Sequence, residues 1–182
     1  MVRVTLCKTG AKRAGCMSTN ETAALSGGAF SGPSDFAQRI RDFLAAAAVQ
    51  KWPHMVWSDV DFQDWPLREK AVVEALNAWA GPGRRLTMIA KRYNQVTLLH
   101  PRFVQWRGIW SHLVDCRVVR HLDDSEMPSA LVGPEWFLHR REITRSVGIC
   151  GKEPRGRVEL TELLDECNRQ SSPGFPATTL GL

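Results

Sequence analysis

Apolar residues recur along the chain at spacings that predict an alternation of helices and strands. Helical spacing is found over residues 35–50, 66–79, 101–113 and 158–169. Short apolar runs typical of buried strands occupy residues 55–57, 86–90, 116–119, 130–132, 136–138 and 143–149. Because strands that alternate with long helices usually form parallel sheets, the pattern predicts an α/β fold with a mixed, mostly parallel sheet flanked by helices on both faces.

The two ends of the chain lack this periodicity. Residues 18–33 are rich in Ser, Thr, Gly and Ala, so residues 1–33 are predicted to be a disordered tail or a wrongly assigned start, with Met17 as an alternative initiator. Residues 171–182 contain two prolines and two glycines and are predicted to be an irregular tail. A single α/β domain is therefore expected over residues 34–170, and a chain of 182 residues has a usual length for one domain.

The formal net charge of +5 suggests a nucleic-acid partner, but the distribution of charge argues against one. Residues 1–31 contain four cations and one anion, while the rest of the chain contains 20 cations and 18 anions. The predicted domain is thus almost neutral, which is typical of an ordinary solvated surface. On this basis nucleic acid is not expected as a partner.

The five cysteines are scattered and contain no Cys-x-x-Cys pair. This usage is typical of free thiols in a reducing compartment, so a cytoplasmic location is predicted. No apolar run approaches the ~18 residues that a membrane span requires, and no membrane partner is expected. The histidines have no Cys, His or Glu partner at ligand spacing, so neither a metal nor a cofactor is expected, with magnesium as the alternative.

An acidic loop follows the first predicted strand. Asp59, Asp61 and Asp64 would lie at the carboxyl end of that strand, where ligands gather in open α/β sheets. The Asp-x-Asp pattern resembles the first motif of haloacid dehalogenase-like phosphatases, which would make Asp59 the nucleophile and Asp61 the acid/base. Asp123 and Asp124 would then hold magnesium. In the alternative interpretation, Asp64 caps the next helix and the other two carboxylates face water.

A second candidate site combines arginine with aromatic residues. His100, Arg102 and Arg107 are candidates for ligand binding, because arginines interleaved with aromatic rings can clamp phosphates while the rings stack on bases. The neighbouring rings of Phe103 and Trp106 also have helical spacing. This spacing favours the alternative interpretation, in which the rings form the buried face of an amphipathic helix.

Several short motifs run through most of the chain. They are Asp-Val-Asp-Phe at 59–62, Trp-Pro-Leu at 65–67, Gly-Arg-Arg-Leu-Thr at 83–87, His-Pro-Arg-Phe at 100–103, then Trp106, Arg107, Trp110 and His112, and the tail at 172–182. With these motifs, the chain from about residue 36 to its end resembles an uncharacterised proteobacterial family with a phospholipase D-like fold. The resemblance implies a bacterial protein of unknown function, built as one phospholipase D-like half with a mixed sheet between helices.

Phospholipase D-like enzymes carry a His-x-Lys motif, in which the His is the covalent nucleophile for a phosphoryl group. The matching segment here is His139-Arg140-Arg141, in which Arg141 replaces Lys, and Ser146 stands where the family has Asp. A phosphohistidine mechanism also needs a second His, from a duplicated half or from the partner in a homodimer. The resemblance therefore implies the family's scaffold without an intact catalytic set.

Three functions are open at this point. The leading prediction is a non-catalytic, phospholipase D-like domain that binds a ligand or a partner. The second is a phosphate-ester hydrolase, which would use magnesium at Asp59 and Asp61 or act as a phosphodiesterase through His139. The third is a nucleic-acid-binding module that uses four arginines: Arg102, Arg107, Arg140 and Arg141.

Overall fold

The computed structural model describes residues 25–176, which contain eight strands and five α-helices. The strands are β1 (Gly28–Ser31), β2 (His54–Asp59), β3 (Arg85–Ala90), β4 (Val114–Val118), β5 (Ser129–Val132), β6 (Phe137–Glu142), β7 (Val147–Gly151) and β8 (Ser172–Pro173). The helices are α1 (Pro33–Gln50), α2 (Lys70–Trp79), α3 (Asn94–Leu99), α4 (Pro101–Ile109) and α5 (Pro154–Arg169).

All eight strands form one mixed sheet in the order β1-β7-β6-β5-β2-β3-β4-β8. The central strands β2, β3 and β4 are parallel, with Trp57 beside Met88 and Met88 beside Cys116. The other five neighbouring pairs are antiparallel. The α/β class is therefore confirmed, whereas the prediction of a mostly parallel sheet is wrong.

Short connections explain the antiparallel half of the sheet. Residues 133–136 join β5 to β6, and residues 143–146 join β6 to β7. A parallel pair needs a crossover of about a dozen or more residues, so strands joined by such short turns must pair as antiparallel hairpins. The alternation of helices and strands predicted parallel pairing correctly only for β2, β3 and β4, where long helical connections are present.

The helices cover the two faces of the sheet unequally. Helices α1, α2 and α4 pack on one face, where Phe36, Leu76 and Phe103 join Trp57 of the sheet in the main core. On the other face, α5 packs chiefly over β5 and β6. Helices on both faces are thus confirmed, but the second face is covered over only part of its width.

The ends of the helices show where local signals succeed and fail. Pro33 begins α1 and Lys51, in the left-handed region with φ 58°, ends it, close to the prediction. The second helix begins at Lys70 rather than at Pro66, so Glu69 occupies its N-cap position, and the predicted cap Asp64 lies in the preceding loop, where its carboxylate is bound by Arg140. No helix within residues 25–176 has the length and apolarity to cross a bilayer.

Two strands lie in segments that the sequence predicted to be tails. β1 pairs with β7 and buries Phe30. β8 pairs with β4, and beyond it Phe175 stacks on Tyr93 with ring centroids 4.9 Å apart. These strands are too short to show an alternating apolar pattern. The alternative start at Met17 and the last six residues of the predicted C-terminal tail lie outside the described residues.

Candidate functional site

Asp59, the last residue of β2, lies inside a buried hydrogen-bond network. Its Oδ2 accepts hydrogen bonds from Arg140 Nη2 at 2.8 Å, from Ser129 Oγ at 2.5 Å and from Trp65 Nε1 at 3.0 Å. Its Oδ1 accepts the backbone N–H groups two and three residues later, at 3.3 and 3.2 Å. Both oxygens of this candidate nucleophile are therefore occupied by donors of the same chain.

Arg140 supplies the charge that balances Asp59. Its side chain is 1% exposed, and its Nε donates to Ser129 Oγ at 2.9 Å. Its Nη1 donates to Asp64 Oδ2 at 3.3 Å, and its guanidinium lies 4.2 Å from the centroid of the Phe36 ring. A charge held in this way orders the loop after β2 and is not free to bind a phosphate. Arg140 thus cannot take the role given to it in the nucleic-acid interpretation.

A cleft of about 520 Å³ opens beside this network, at the carboxyl ends of β2 and β3. Asp61, Asp124, Arg92 and Arg141 line it. Arg92 Nη2 lies 3.3 Å from Asp61 and 2.9 Å from Asp124. Hydrogen bonds from Arg92 and from Lys91 lower the pKa of Asp124 to about 2. The carboxylates of the cleft are therefore engaged by cations of the same surface.

The structure brings together only some of the carboxylates of the phosphatase-like pattern. Asp59, Asp61 and Asp124 do line one cleft. Within residues 25–176, however, no three His, Cys, Asp or Glu side chains are grouped so that they could hold a metal ion. Magnesium binding and phosphate-ester hydrolysis stay predictions.

His139 and Arg141 lie on the α5 side of β6, where they line a cavity of about 200 Å³ together with Leu160 and Leu163. Burial and the nearby Arg141 charge lower the pKa of His139, so its ring is neutral at pH 7. Ser146, at the position where the phospholipase D motif has Asp, is buried in the turn before β7. The phospholipase D-like resemblance and the role of His139 stay predictions.

The structure separates the residues of the arginine–aromatic candidate. His100 is buried, and its Nε2 donates to the Phe62 carbonyl at 2.9 Å. Arg107 is also buried, with its guanidinium 4.3 Å from the centroid of the Phe175 ring. Arg102 is exposed on α4. The aromatic residues beside these positions belong to the main core, as the alternative interpretation predicted.

A polar surface is formed by the outer side of β2, β3 and β4, beside α5. Successive residues of a strand point to opposite faces, and on this side Ser58 and Ile89 are buried, whereas the residues left uncovered are His54, Val56, Arg85, Thr87, Asp115 and Arg117. We call these uncovered residues the open face, together with Arg157 of α5, whose side chain binds the Pro134 carbonyl in the turn after β5, the strand that pairs with β2. His54 and Arg85 are exposed and lie side by side on β2 and β3, and the others are partly exposed.

Three arginines of the open face form no salt bridge with a carboxylate of residues 25–176. Arg117 donates from Nε and Nη2 to the hydroxyl and carbonyl of Ser171, at 2.9 and 3.0 Å. Arg157 donates to the Pro134 carbonyl, and Arg85 projects into solvent. Among the strand residues of the open face the only carboxylate is Asp115. The residues that define the open face therefore carry three arginines and one carboxylate.

The open face was not predicted from the sequence, because the predicted strands were shorter than the strands of the structure. The apolar runs at 55–57, 86–90 and 116–119 were typical of strands buried on both sides. The strands of the structure begin one or two residues earlier, and this adds His54, Arg85 and Asp115. The alternation of polar and apolar residues from 85 to 88 and from 115 to 118 was the signal for strands with one exposed side.

Comparison with known proteins gives a fold but no family. No protein-family model matches the chain, and no curated protein is significantly similar to it. Among solved structures, the chain is similar to TrmBL2, described as an archaeal chromatin protein with a novel mode of DNA binding. The two share 12% sequence identity with a TM-score of 0.60, over 87% of this chain and 57% of that chain. This chain thus spans little more than half of the length of TrmBL2.

This neighbour corrects two expectations from the sequence. One was that the domain is a non-catalytic, phospholipase D-like binder of a ligand or partner, and the other was that nucleic acid is not a partner. Both are wrong as leading interpretations, because a chain of the same fold is described as binding DNA. The charge count did not show where the charges lie, since Asp59, Asp61 and Asp124 are held in ion pairs away from the open face.

Proposed function

We propose that this protein is a nucleic-acid-binding module that contacts phosphates through its open face. The observation that carries the proposal is the set of three arginines without carboxylate partners, Arg85, Arg117 and Arg157, on one side of the sheet. Arginine suits this role because its guanidinium is always charged and presents paired donors to phosphate oxygens. The description of TrmBL2, which shares the fold, as a DNA-binding protein supports the same function.

The open face fits this role better than the arginines first predicted from the sequence. Arg107 and Arg140 are buried and engaged within the chain. Arg102 lies on α4 and Arg141 on the α5 side of β6, so these two exposed arginines are on opposite faces of the sheet. No single nucleic-acid strand can lie against both faces at once. The arginines of the open face, by contrast, share one side.

Further cations extend the positive surface at one end of the sheet. Lys51 lies three residues before the start of β2 and Arg84 directly precedes β3, at the end where His54 and Arg85 lie. Neither forms a salt bridge within residues 25–176. A row of cations at a sheet end adjoining the open face lengthens the surface that a phosphate backbone could follow.

Salt-dependent binding tests this function. Each phosphate neutralised by a cation contributes about −0.9 to the slope of log affinity against log salt on duplex DNA, so three arginines predict a slope of about −2.7. Affinity for a labelled 20-base-pair duplex should then fall roughly fortyfold between 50 and 200 mM salt, as measured by fluorescence anisotropy. Absence of binding at 50 mM salt, or binding that salt does not weaken, would contradict the proposal.

A matched pair of variants tests whether the nucleic acid contacts the open face. Arg85→Ala should flatten the salt slope by about 1, because one phosphate contact is removed. Arg102→Ala removes an exposed arginine from the opposite helical layer and should leave the slope unchanged. Equal effects of the two changes would show that total charge, rather than the open face, governs binding.

A further inference from the structure

Two of the three arginines of the open face, Arg117 and Arg157, are held in fixed positions. Arg117 is held by two hydrogen bonds to Ser171, and Arg157 is held by the Pro134 carbonyl. Side chains that are already ordered lose little freedom when they bind. Their spacing is therefore set before a ligand arrives, which favours a partner whose phosphates are also at fixed spacing. A duplex has such phosphates, whereas a flexible single strand does not.

The open face offers no Phe, Tyr or Trp ring on which a base could stack, and its one ring is the small imidazole of His54. Its strand residues are His54, Val56, Arg85, Thr87, Asp115 and Arg117, none of which is Phe, Tyr or Trp. The tryptophans Trp57, Trp65, Trp79, Trp106 and Trp136 are instead buried. Proteins that bind single strands depend on base stacking on aromatic rings, which contributes about 1–3 kcal/mol per base. Without it, the affinity of the open face for a single strand rests on charge alone.

The shape of the open face also keeps it away from base edges. A major groove about 12 Å wide admits an α-helix or a two-stranded ribbon. The open face is one side of three adjacent strands within an eight-stranded sheet, bounded on one side by α5, and is therefore wider than a two-stranded ribbon. Such a surface can lie across the phosphate rows that border a groove but cannot enter it. Contacts to phosphates position a protein on DNA without reading its sequence.

We infer that the open face binds duplex DNA through its phosphate backbone, without base-sequence preference and in preference to single strands. This inference rests on the proposed function and specifies its ligand. Arg85, Arg117 and Arg157 contact phosphates, and the strands between them contact the sugar–phosphate surface.

Competition binding to the full-length protein tests the inference. The probe is a labelled 20-base-pair duplex at 50 mM salt, and the competitors are the same duplex, a second duplex of unrelated sequence, and one strand of the first. The two duplexes should compete within threefold of each other, and the single strand should compete at least tenfold less well. A single strand that competes as well as the duplex, or a tenfold preference for one sequence, would overturn the inference.

A charge-reversal variant links that result to the open face. Arg85→Glu should weaken duplex binding more than tenfold, because Arg85 projects into solvent and its replacement adds repulsion without removing a contact within the described chain. Arg102→Glu is the matched control on the helical layer and should change binding less than threefold. Equal weakening by both would overturn the placement on the open face. If the unaltered protein binds none of the three nucleic acids, the proposed function itself fails.

Discussion

Asp59 and Arg140 meet across 81 residues of sequence and form an ion pair that is almost fully buried. Because each charge has lost its hydration, the stability of the pair depends on both partners being present. Five donors surround the Asp59 carboxylate, and Arg140 has additional bonds to Ser129 and Asp64. The pair therefore acts as a structural link between the ends of β2 and β6.

Replacing Asp59 should destabilise the fold strongly. Asp59→Asn leaves the buried Arg140 charge with only the half-exposed Asp64 as a counter-ion and turns an amide N–H₂ toward existing donors, so the free energy of unfolding should fall by about 3–5 kcal/mol. Urea denaturation followed by tryptophan fluorescence measures this change. Asp61→Asn alters a more exposed carboxylate of the same loop and should cost less than about 1 kcal/mol. A loss below 1 kcal/mol for Asp59→Asn would show that the pair does not hold the fold.

The sequence revealed the position of Asp59 but not its role. A carboxylate at the end of a buried strand is compatible with a nucleophile, a metal ligand or a structural ion pair. The partner that decides among these, Arg140, lies on β6 and was assigned to a different motif. Periodicity and local motifs carry no information about contacts between residues so far apart in the chain. Residue roles were therefore less predictable than residue burial.

At the scale of elements, strand positions were predicted well and strand directions were not. Apolar runs identified β2 to β7, since burial is encoded locally. Direction depends on how the connections close, and the turns at 133–136 and 143–146 were too short for parallel pairing. Reading those turn lengths together with the runs would have predicted the antiparallel half. β1 and β8 contain four and two residues and could not be recognised from their pattern.

His100 joins two elements, and protonation of its ring should loosen that connection. Its Nε2–H donates to the carbonyl of Phe62 in the loop after β2, while its buried Nδ1 has no hydrogen-bond partner within residues 25–176. Burial lowers the pKa of His100. A proton added at Nδ1 would be buried without an acceptor, so the folded protein resists protonation more than the unfolded chain does.

The stability of the protein should therefore fall in mild acid. A folded pKa below the unfolded value means that stability is complete above about pH 6.5 and is lost as the pH falls below that value toward the folded pKa. Because one proton is taken up, the free energy of unfolding cannot fall by more than about 1.4 kcal/mol per pH unit. Urea denaturation between pH 7.5 and 5.0 should show a weaker pH dependence for His100→Gln than for the unaltered protein. His54→Gln, an exposed control, should leave the dependence unchanged.

At the scale of the whole molecule, charge of opposite sign is placed on different regions. The paired carboxylates Asp61 and Asp124 lie at the carboxyl ends of the parallel strands, beside the cleft. Cations without carboxylate partners lie on the outer side of the same strands and before β2 and β3. A total charge summed over the domain cannot show this separation. It became visible only when the fold placed each residue on a face of the sheet.

The separation predicts that a single carboxylate of the open face limits binding. Asp115 lies beside Thr87 and two residues before Arg117 on the same side of β4, so its charge repels a bound phosphate row. Asp115→Asn should tighten binding to duplex DNA about two- to fivefold at 50 mM salt. The gain in affinity should shrink at 200 mM salt. The Debye length then falls below about 8 Å, and salt already screens the repulsion between Asp115 and a bound phosphate. Fluorescence anisotropy titrations at the two salt concentrations measure both effects.

Asp123→Asn provides the matched control, since it removes the same charge from an exposed position in the loop beyond the other end of β4. If the open face governs binding, Asp123→Asn should alter duplex affinity by less than half as much as Asp115→Asn. Its charge lies outside the open face, and salt screens the effect of a distant charge on a bound phosphate. An equal gain from both variants would mean that DNA responds to the net charge of the molecule. A gain confined to Asp115→Asn would locate the phosphate backbone beside β4, within reach of Arg117 and Arg85.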